Sequence, residues 1–163
     1  MSEPCPCGSG RDYGECCGPI IAGKAKAQTA EALMRSRYTA YAKGAVDHIL
    51  ASCVQDDGID AEATRAWSEG ADWKGLTIVR TEKGGPGDDE GVVEFVARYV
   101  MDGLKEEHRE TARFVREDGA WLYDSGEVKT ATVVRAAPKV GRNEPCPWRF
   151  PMTVCLTSRW LAL

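Results

Sequence analysis

Apolar residues recur at intervals of three and four along positions 30–43, which is the spacing of one face of an α-helix. Thr29 is a suitable N-cap, and Gly44 is a suitable residue to end the helix. The pattern therefore predicts a helix over Ala30–Lys43. Its core-facing residues should be Ala30, Leu33, Met34, Tyr38 and Tyr41. Two shorter helices are expected over residues 46–54 and from Asp60 toward Trp67.

The pattern changes to strands at Leu76, where β-branched residues become frequent. Strands are predicted over 76–80, 92–101, 108–115 and 121–123, with a Gly-rich acidic loop over 84–91. In the second strand, alternate residues should face the core: Val93, Phe95, Ala97, Tyr99 and Met101. Asp102-Gly103 and Asp118-Gly119 are typical of tight hairpin turns. Helices followed by an antiparallel meander predict an α+β domain in which helices cover one face of a curved sheet.

Composition and charge restrict the class of protein. The chain has 163 residues and a net charge of −4, with an acidic surplus in residues 46–127 and a basic surplus at both ends. An acidic central domain would repel phosphates, so nucleic-acid binding by that domain is not expected. No apolar run approaches the ~20 residues that span a bilayer, and Met1 to Cys5 do not resemble a secretory signal. We therefore expect a cytoplasmic protein without a membrane span.

The first nineteen residues have too few aliphatic side chains to form a core, but they contain four cysteines: Cys5, Cys7, Cys16 and Cys17. In a reducing compartment, clustered thiols are more often metal ligands or redox groups than disulfides. Four thiolates suit one structural zinc ion, and the neighbouring glycines allow the backbone to bring the sulfurs together. Four ligands also leave no open position for a catalytic water. Arg11 is placed to offset part of the negative charge of such a site.

Other interpretations of the cysteine cluster remain open. A disulfide between neighbouring residues would be strained, and iron bound by the same four thiolates is the main alternative metal. Part of the motif recurs near the other end of the chain, where Glu3-Pro4-Cys5-Pro6 is repeated as Glu144-Pro145-Cys146-Pro147. The repeat then fails, because Trp148 stands where a second cysteine should be. The sequence therefore predicts one zinc and not two.

The sequence Cys5-Pro6-Cys7-Gly8-Ser9-Gly10, followed by Tyr13 and Cys16-Cys17-Gly18, resembles the SEC-C motif. That motif is the zinc-binding tail of the SecA translocation motor, where it contacts the SecB chaperone. The segment from Leu33 to Tyr41 resembles the YchJ-type bacterial proteins, whose middle domain is similar to the cone-shaped nuclear transport factor two-like (cystatin-like) fold. The resemblance implies a SEC-C motif over 1–19, a cone-shaped domain over 20–137, and a degenerate or replaced second SEC-C motif forming a flexible tail over 138–163. We expect the core of the cone domain to use residues after Thr29.

Cone-shaped domains often have a pocket between helices and sheet, and the candidate residues here are Arg37, Tyr41, His108 and Arg113. His108 lies beside Glu106 and Glu107, and His48 follows Asp47, so a carboxylate could tune either imidazole as a general base. The alternative is that both histidines are ordinary surface or edge residues, and that Cys53 is a buried small apolar residue.

Two classes of function remain. The first is a non-catalytic adaptor whose SEC-C module binds a protein partner, and the resemblance to the SecA tail favours it. The second is a small-molecule-binding or enzymatic cone domain. For the adaptor, the expected docking surface combines apolar residues with nearby positive charge: Pro4, Pro6, Tyr13, Ile20, Arg11, Lys24 and Lys26.

Overall fold

A computed structural model describes residues 3–54 and 59–130. A short 3-10 turn at Tyr13–Glu15 leads into helix α1 (Cys17–Ile21), which is followed by α2 (Ala30–Lys43), α3 (Val46–Ala51) and α4 (Ala61–Gly70). Four strands follow: β1 (Asp72–Lys83), β2 (Glu90–Met101), β3 (Leu104–Glu117) and β4 (Ala120–Thr130). The expected tail over 138–163 lies outside the described residues.

The four strands form an antiparallel meander in the order β1-β2-β3-β4, and the helices pack on one face of it. The α+β fold predicted from the sequence is therefore confirmed. Every strand is longer than its apolar pattern predicted, at both ends in β1, β3 and β4 and at the start in β2, because the flanking residues, most of them polar, still pair through their backbone with a neighbouring strand. None of the described helices is long and apolar enough to cross a membrane.

Helix α2 has the predicted bounds, and its ends form as its sequence indicates. The Thr29 hydroxyl accepts a hydrogen bond from the Ala32 N–H at 3.0 Å, and Gly44 ends the helix with a φ of 71°. The predicted apolar face is buried except for Tyr41, which is half-buried. The polar residues Ser36, Arg37 and Thr39 are also buried, so the helix is covered on more than one side.

Four of the five β2 residues predicted to face the core are buried against the helices, and Met101 is half-buried: the four are Val93, Phe95, Ala97 and Tyr99. Glu94 and Val96 on the opposite face are also buried, so burial does not alternate along the middle of the strand. The register of β2 against β3 places Glu110 opposite Phe95 and His108 opposite Ala97, so both polar side chains lie on the helix-covered face. Tyr123 of β4 pairs with Phe114 of β3 and lies on the same face. The pairing of β3 with β4 shifts by one residue between Phe114 and Arg113, which places Gly126 opposite Ala112 on that face.

The start of helix α2 packs closely against the loop between β1 and β2. The Ala30 N–H donates to the Gly84 carbonyl at 2.9 Å, and Gly84 pairs with Glu90 at the base of the loop. A Cβ on Gly91 would lie 2.5 Å from the Gly84 Cα and 3.0 Å from the Ala30 Cβ. Glycine is therefore required at position 91 by the packing of the helix on the sheet.

Gly91→Ala should lower the stability of the domain by roughly 1–3 kcal/mol, because the added methyl group overpacks backbone that cannot move aside. Gly87→Ala in the same loop is the matched control, since a Cβ there would meet nothing within 4 Å. Urea unfolding of both variants measures the effect. Equal stability of the two variants would contradict this account of the helix contact.

Candidate metal centre and cavity

The sulfur atoms of Cys5, Cys7, Cys16 and Cys17 all lie within 4.8 Å of one another. The Sγ atoms of Cys7 and Cys16 are 3.7 Å apart, and those of Cys16 and Cys17 are 3.8 Å apart. Three of the four residues are buried. The cluster could therefore hold a metal ion.

A tight turn brings the two cysteine pairs together. The Cys5 N–H donates to the Arg11 carbonyl at 2.9 Å, and Pro4 bridges to Asp12. Gly8 and Gly10 have φ values of 72° and 77°, which non-glycine residues rarely adopt. The chain then enters helix α1, whose first residue, Cys17, faces Cys7.

The spacing of the sulfurs fits a metal and does not fit a disulfide. Four thiolates at the usual zinc distance form a tetrahedron whose edges are about 3.8 Å long, which matches the two distances above. A disulfide needs about 2.0 Å between sulfurs. All four thiols are free in the structure, and four soft donors in this arrangement suit a closed tetrahedral site.

The neighbours of the sulfurs favour negative charge on Cys7, whereas burial raises the pKa of Cys16. The Cys17 thiol hydrogen-bonds to Cys7 and lowers the pKa of Cys7 to about 4, while the same contact and burial raise the pKa of Cys17. Hydroxyl groups also contact the cluster: Ser9 Oγ lies 3.3 Å from Cys16 Sγ, and Thr39 Oγ1 lies 3.7 Å from Cys5 Sγ. Such contacts orient thiolates and support a metal site from outside the ligand set.

The cysteine turn is not separate from the rest of the chain. Cys5, Cys7 and Cys17 belong to the same buried cluster as Leu33 and Phe114. The expectation that the main core uses only residues after Thr29 is therefore wrong. The turn is too short to bury its own thiols, so it buries them against helix α2 and the sheet.

Helix α2 also supplies the charged contacts of the turn. Arg35 Nη1 donates to the Cys7 carbonyl at 2.8 Å, and Lys43 pairs with Glu3 at 2.8 Å while lying over the Tyr13 ring. Arg11, which the sequence suggested as the compensating cation, is exposed and donates to the Glu15 carbonyl instead. The cation nearest the buried cysteines is therefore Arg35.

A second candidate site is a cavity of 280 Å³ between the helices and the sheet. Its walls are mostly aromatic and aliphatic, with a polar region where α2, α3, β3 and β4 approach one another. It is lined by Met34, Arg37, Tyr38, Tyr41, Ile49, Cys53, Ile59, Trp67, Trp73, Phe95, Ala97, His108, Glu110 and Tyr123.

Three of the four pocket residues named from the sequence, Arg37, Tyr41 and His108, line this cavity. Arg113 does not line it: its side chain is exposed and donates to Glu90 at 3.1 Å. His108 and Arg113 are five positions apart on one strand, so their side chains point to opposite faces of the sheet. The inclusion of Arg113 in the pocket was wrong for this reason.

His108 is paired with Glu110, and not with the adjacent Glu106 or Glu107. His108 Nε2 lies 2.7 Å from Glu110 Oε2, and the Tyr123 hydroxyl donates to Glu110 Oε1 at 2.8 Å. Burial and this carboxylate raise the pKa of Tyr123, so its hydroxyl keeps its proton and donates. Sequence reasoning missed Glu110 and Tyr123, although the spacing of two between His108 and Glu110 already places them on one face.

Gly126 of β4 leaves room for this group of residues. A Cβ at that position would lie 1.9 Å from Glu110 Oε1 and 2.5 Å from the Tyr123 hydroxyl. The glycine therefore permits Glu110 to lie against the sheet and to bond Tyr123.

His48 lies away from the cavity, between α3 and α2. Its Nε2 is 2.9 Å from the Ser36 hydroxyl, and that hydroxyl donates to the Leu33 carbonyl. Burial, with a smaller effect of the Arg37 charge, lowers the pKa of His48 to about 4. Both histidines are half-buried and hydrogen-bonded, so the alternative that they are ordinary surface residues is wrong.

Two family models match this chain, one over the cysteine turn and one over the domain of helices and sheet. Residues 1–19 match the SEC-C motif, and residues 29–126 match the family described as "YchJ, middle NTF2-like domain". A UPF0225 protein of Geobacter sulfurreducens is 44% identical over 149 residues, covering 90% of this chain and 91% of the relative. One from Photorhabdus laumondii is 41% identical, covering 90% of this chain and 92% of the relative.

Two solved structures are similar over most of the chain. The solution structure of a SEC-C motif containing protein from Rhodopseudomonas palustris has a TM-score of 0.70 at 38% identity, covering 77% of this chain and 98% of that one. The crystal structure of a SEC-C motif containing protein from Psychrobacter arcticus has a TM-score of 0.66 at 25% identity, covering 88% of each chain.

The buried His48 should make the domain sensitive to acid. Its pKa in the fold is about 4, whereas the unfolded chain binds the proton near its ordinary value of about 6.5. Between these values the unfolded state binds more protons, so the stability that neutral His48 provides is present above about pH 6.5 and is lost as the pH falls. When the pH falls from about 7 to about 5, the unchanged chain should therefore lose up to about 2 kcal/mol more free energy of unfolding than His48→Gln. Thermal melts at a series of pH values measure this, and parallel curves for the two chains would contradict it.

Proposed function

The chain belongs to the YchJ family of SEC-C motif proteins, and from that premise we propose that it is a zinc-binding adaptor whose N-terminal module binds a protein partner. The cluster of four thiols within 4.8 Å carries the proposal. Four protein ligands complete a tetrahedral site, so the metal would hold a surface in shape and would not expose a coordination position for chemistry.

We propose zinc rather than iron because a closed set of four cysteine thiolates is the usual ligand set of a structural zinc ion. The proposed ligands are Cys5, Cys7, Cys16 and Cys17, and one zinc per chain is expected. Bound zinc would supply a crosslink between the cysteine turn and helix α1. Other residues support the site from outside the ligand set. Thr39 and Ser9 contact the cysteine sulfurs, and Arg35 donates a hydrogen bond to the Cys7 carbonyl of the turn.

The surface available for docking is narrower than the sequence suggested. Tyr13 and Ile20 pack against the buried cluster, and Lys26 donates to the Asp118 carbonyl at 3.3 Å. Pro4 and Arg11 remain exposed on the cysteine turn, and Lys24 is exposed just after α1. The proposed docking surface is therefore the edge of the module that carries these three residues. Arg11 and Lys24 would pair with acidic groups of a partner, beside the exposed carboxylates of Asp12 and Glu15.

Replacing both Cys16 and Cys17 by serine should abolish zinc binding and lower the melting temperature of the whole domain by roughly 10 °C or more. The loss should spread beyond the turn because the cysteines share a buried cluster with α2 and the sheet. Metal analysis and calorimetry on the full chain measure both effects. Cys53→Ala is the control, since Cys53 lies in the other site and its loss should leave one zinc bound.

Two outcomes would contradict this account. Two zinc ions per chain would mean that other cysteines complete a second site. An unchanged melting temperature in the zinc-free variant would mean that the turn folds apart from the domain.

The double change Arg11→Glu and Lys24→Glu should abolish binding of acidic partner proteins without altering the fold or the zinc content. Lys74→Glu on strand β1 is the control, because Lys74 is also exposed but lies outside the proposed docking surface. Crosslinking of the full chain in cells, with quantitative comparison of the captured proteins, measures partner loss. Equal capture by the double variant and the unchanged chain would refute docking through this edge.

A second candidate function is small-molecule binding, or catalysis, in the cavity of the cone domain. The observation that favours it is the convergence of Arg37, Tyr41 and His108, with Glu110, on one aromatic-walled space. Pairing with Glu110 would let His108 act as a proton acceptor toward a bound molecule. Direct binding measured at the indole N–H signals of Trp67 and Trp73, which line the cavity, tests this function.

A further inference from the structure

Arg37 is a buried cation, only 7% exposed, and no carboxylate of the described residues lies within salt-bridge distance of it. A buried charge without a counter-charge is costly in a folded protein. Neutral groups offset part of that cost. Arg37 Nη1 donates to the Ile49 carbonyl at 2.8 Å and to the Ser52 hydroxyl at 2.6 Å, and the guanidinium lies 4.7 Å from the centre of the Tyr123 ring.

These contacts use only one end of the guanidinium. Among the described residues, the hydrogen bonds of Arg37 all come from Nη1, the third being to Cys53 Sγ at 3.2 Å. Nε and Nη2 have no partner there, and Arg37 forms part of the cavity wall. An arginine edge with two free N–H donors is the group that binds a carboxylate through two parallel hydrogen bonds.

The other charged residue of the cavity is already satisfied. Both oxygens of Glu110 accept hydrogen bonds, one from Tyr123 and one from His108. The Glu110 carboxylate keeps its negative charge, but both of its oxygens already have hydrogen-bond partners. Among the described residues that line the cavity, Arg37 is therefore the charged group that still has N–H donors for a ligand.

The remaining walls select a flat, apolar ligand body. The rings of Tyr41 and Trp67 both pack on Trp73, with centroid distances of 5.5 Å, and Phe95 lines the same space. Aromatic walls of this kind favour another ring through offset or edge contacts. The volume of 280 Å³ is just below the range for drug-sized ligands, about 300–1,000 Å³. It suits a molecule of one ring.

We propose that the cavity binds a small monocarboxylate with a flat apolar body. The carboxylate would bind the free edge of Arg37, and the apolar body would pack against Trp67, Trp73 and Phe95. The proposal rests on the second candidate function, ligand binding in the cone domain. It adds the chemical class of the ligand and the residue that selects it.

The test uses three probes of the same shape on the full zinc-loaded chain: benzoate, neutral benzyl alcohol and cationic benzylamine. Binding is followed by titration calorimetry and by the indole N–H signals of Trp67 and Trp73. Benzoate should bind at least roughly tenfold more tightly than benzyl alcohol, because only benzoate forms two parallel hydrogen bonds between opposite charges with Arg37. Benzylamine should bind more weakly than benzoate, because an ammonium group cannot accept the hydrogen bonds that Arg37 donates.

Arg37→Lys tests the role of the guanidinium while keeping the positive charge. It should weaken benzoate at least roughly tenfold, because an ammonium group cannot form two parallel hydrogen bonds. Arg113→Lys is the matched control, since Arg113 lies on the opposite face of the sheet, and it should leave benzoate binding unchanged. Circular dichroism checks the fold, and if Arg37→Lys does not fold, Trp67→Leu replaces it and should weaken benzoate by loss of the apolar wall.

The results separate failure of the ligand class from failure of the cavity function. If benzyl alcohol or benzylamine binds as well as benzoate, or if Arg37→Lys keeps full benzoate affinity, the cavity binds small molecules but the carboxylate proposal is wrong. If no probe perturbs Trp67 or Trp73, both the carboxylate proposal and the second candidate function are overturned.

Discussion

The structure depends on the burial of helix α2 on several sides, which brings three of its polar side chains into contact with buried neighbours. Ser36, Arg37 and Thr39 are consecutive or nearly so, and all three are at most 7% exposed. Because successive residues on a helix point about 100° apart, they meet three different neighbours. Ser36 meets His48 of α3, Arg37 meets the end of α3 and Tyr123, and Thr39 meets Cys5. These contacts fix the rotation of the helix.

A helix fixed in this way connects the two candidate sites. Arg35 and Thr39, four residues apart, hold the cysteine turn, whereas Arg37 and Tyr41, also four residues apart, line the cavity. The turn is therefore a component of the domain core and not an appendage. A metal that orders the thiols would also favour the position of α2 that shapes the cavity wall.

Sequence reasoning predicted the elements whose signals are local. The cap at Thr29, the glycine at Gly44 and the core-facing positions 93, 95, 97 and 99 of β2 each depend on neighbouring residues, and each is confirmed. The clustering of the four cysteines was also predictable, because their short spacing in the sequence allows few other arrangements of the four sulfurs. The errors concern contacts between distant segments. Arg11 and Arg35 are equally basic in the sequence, and only the packing of α2 on the turn determines which one contacts the buried module.

The cavity shows the same limit and also a missed opportunity. Because alternate residues of a strand point to opposite faces, His108 and Glu110 lie on one face and Arg113 lies on the other. The acid partner of the histidine was therefore predictable from the predicted strand. Tyr123 was predictable in the same way, because the Asp118-Gly119 turn pairs Glu117 with Ala120 and therefore Phe114 with Tyr123. The one-residue shift beyond Tyr123 was not predictable, and it places Gly126 opposite Ala112. Because Gly126 has no Cβ, Tyr123 can bond Glu110 while its ring packs against Arg37. The polar wall is thus assembled by the fold alone, so a ligand that binds there would not have to organise it.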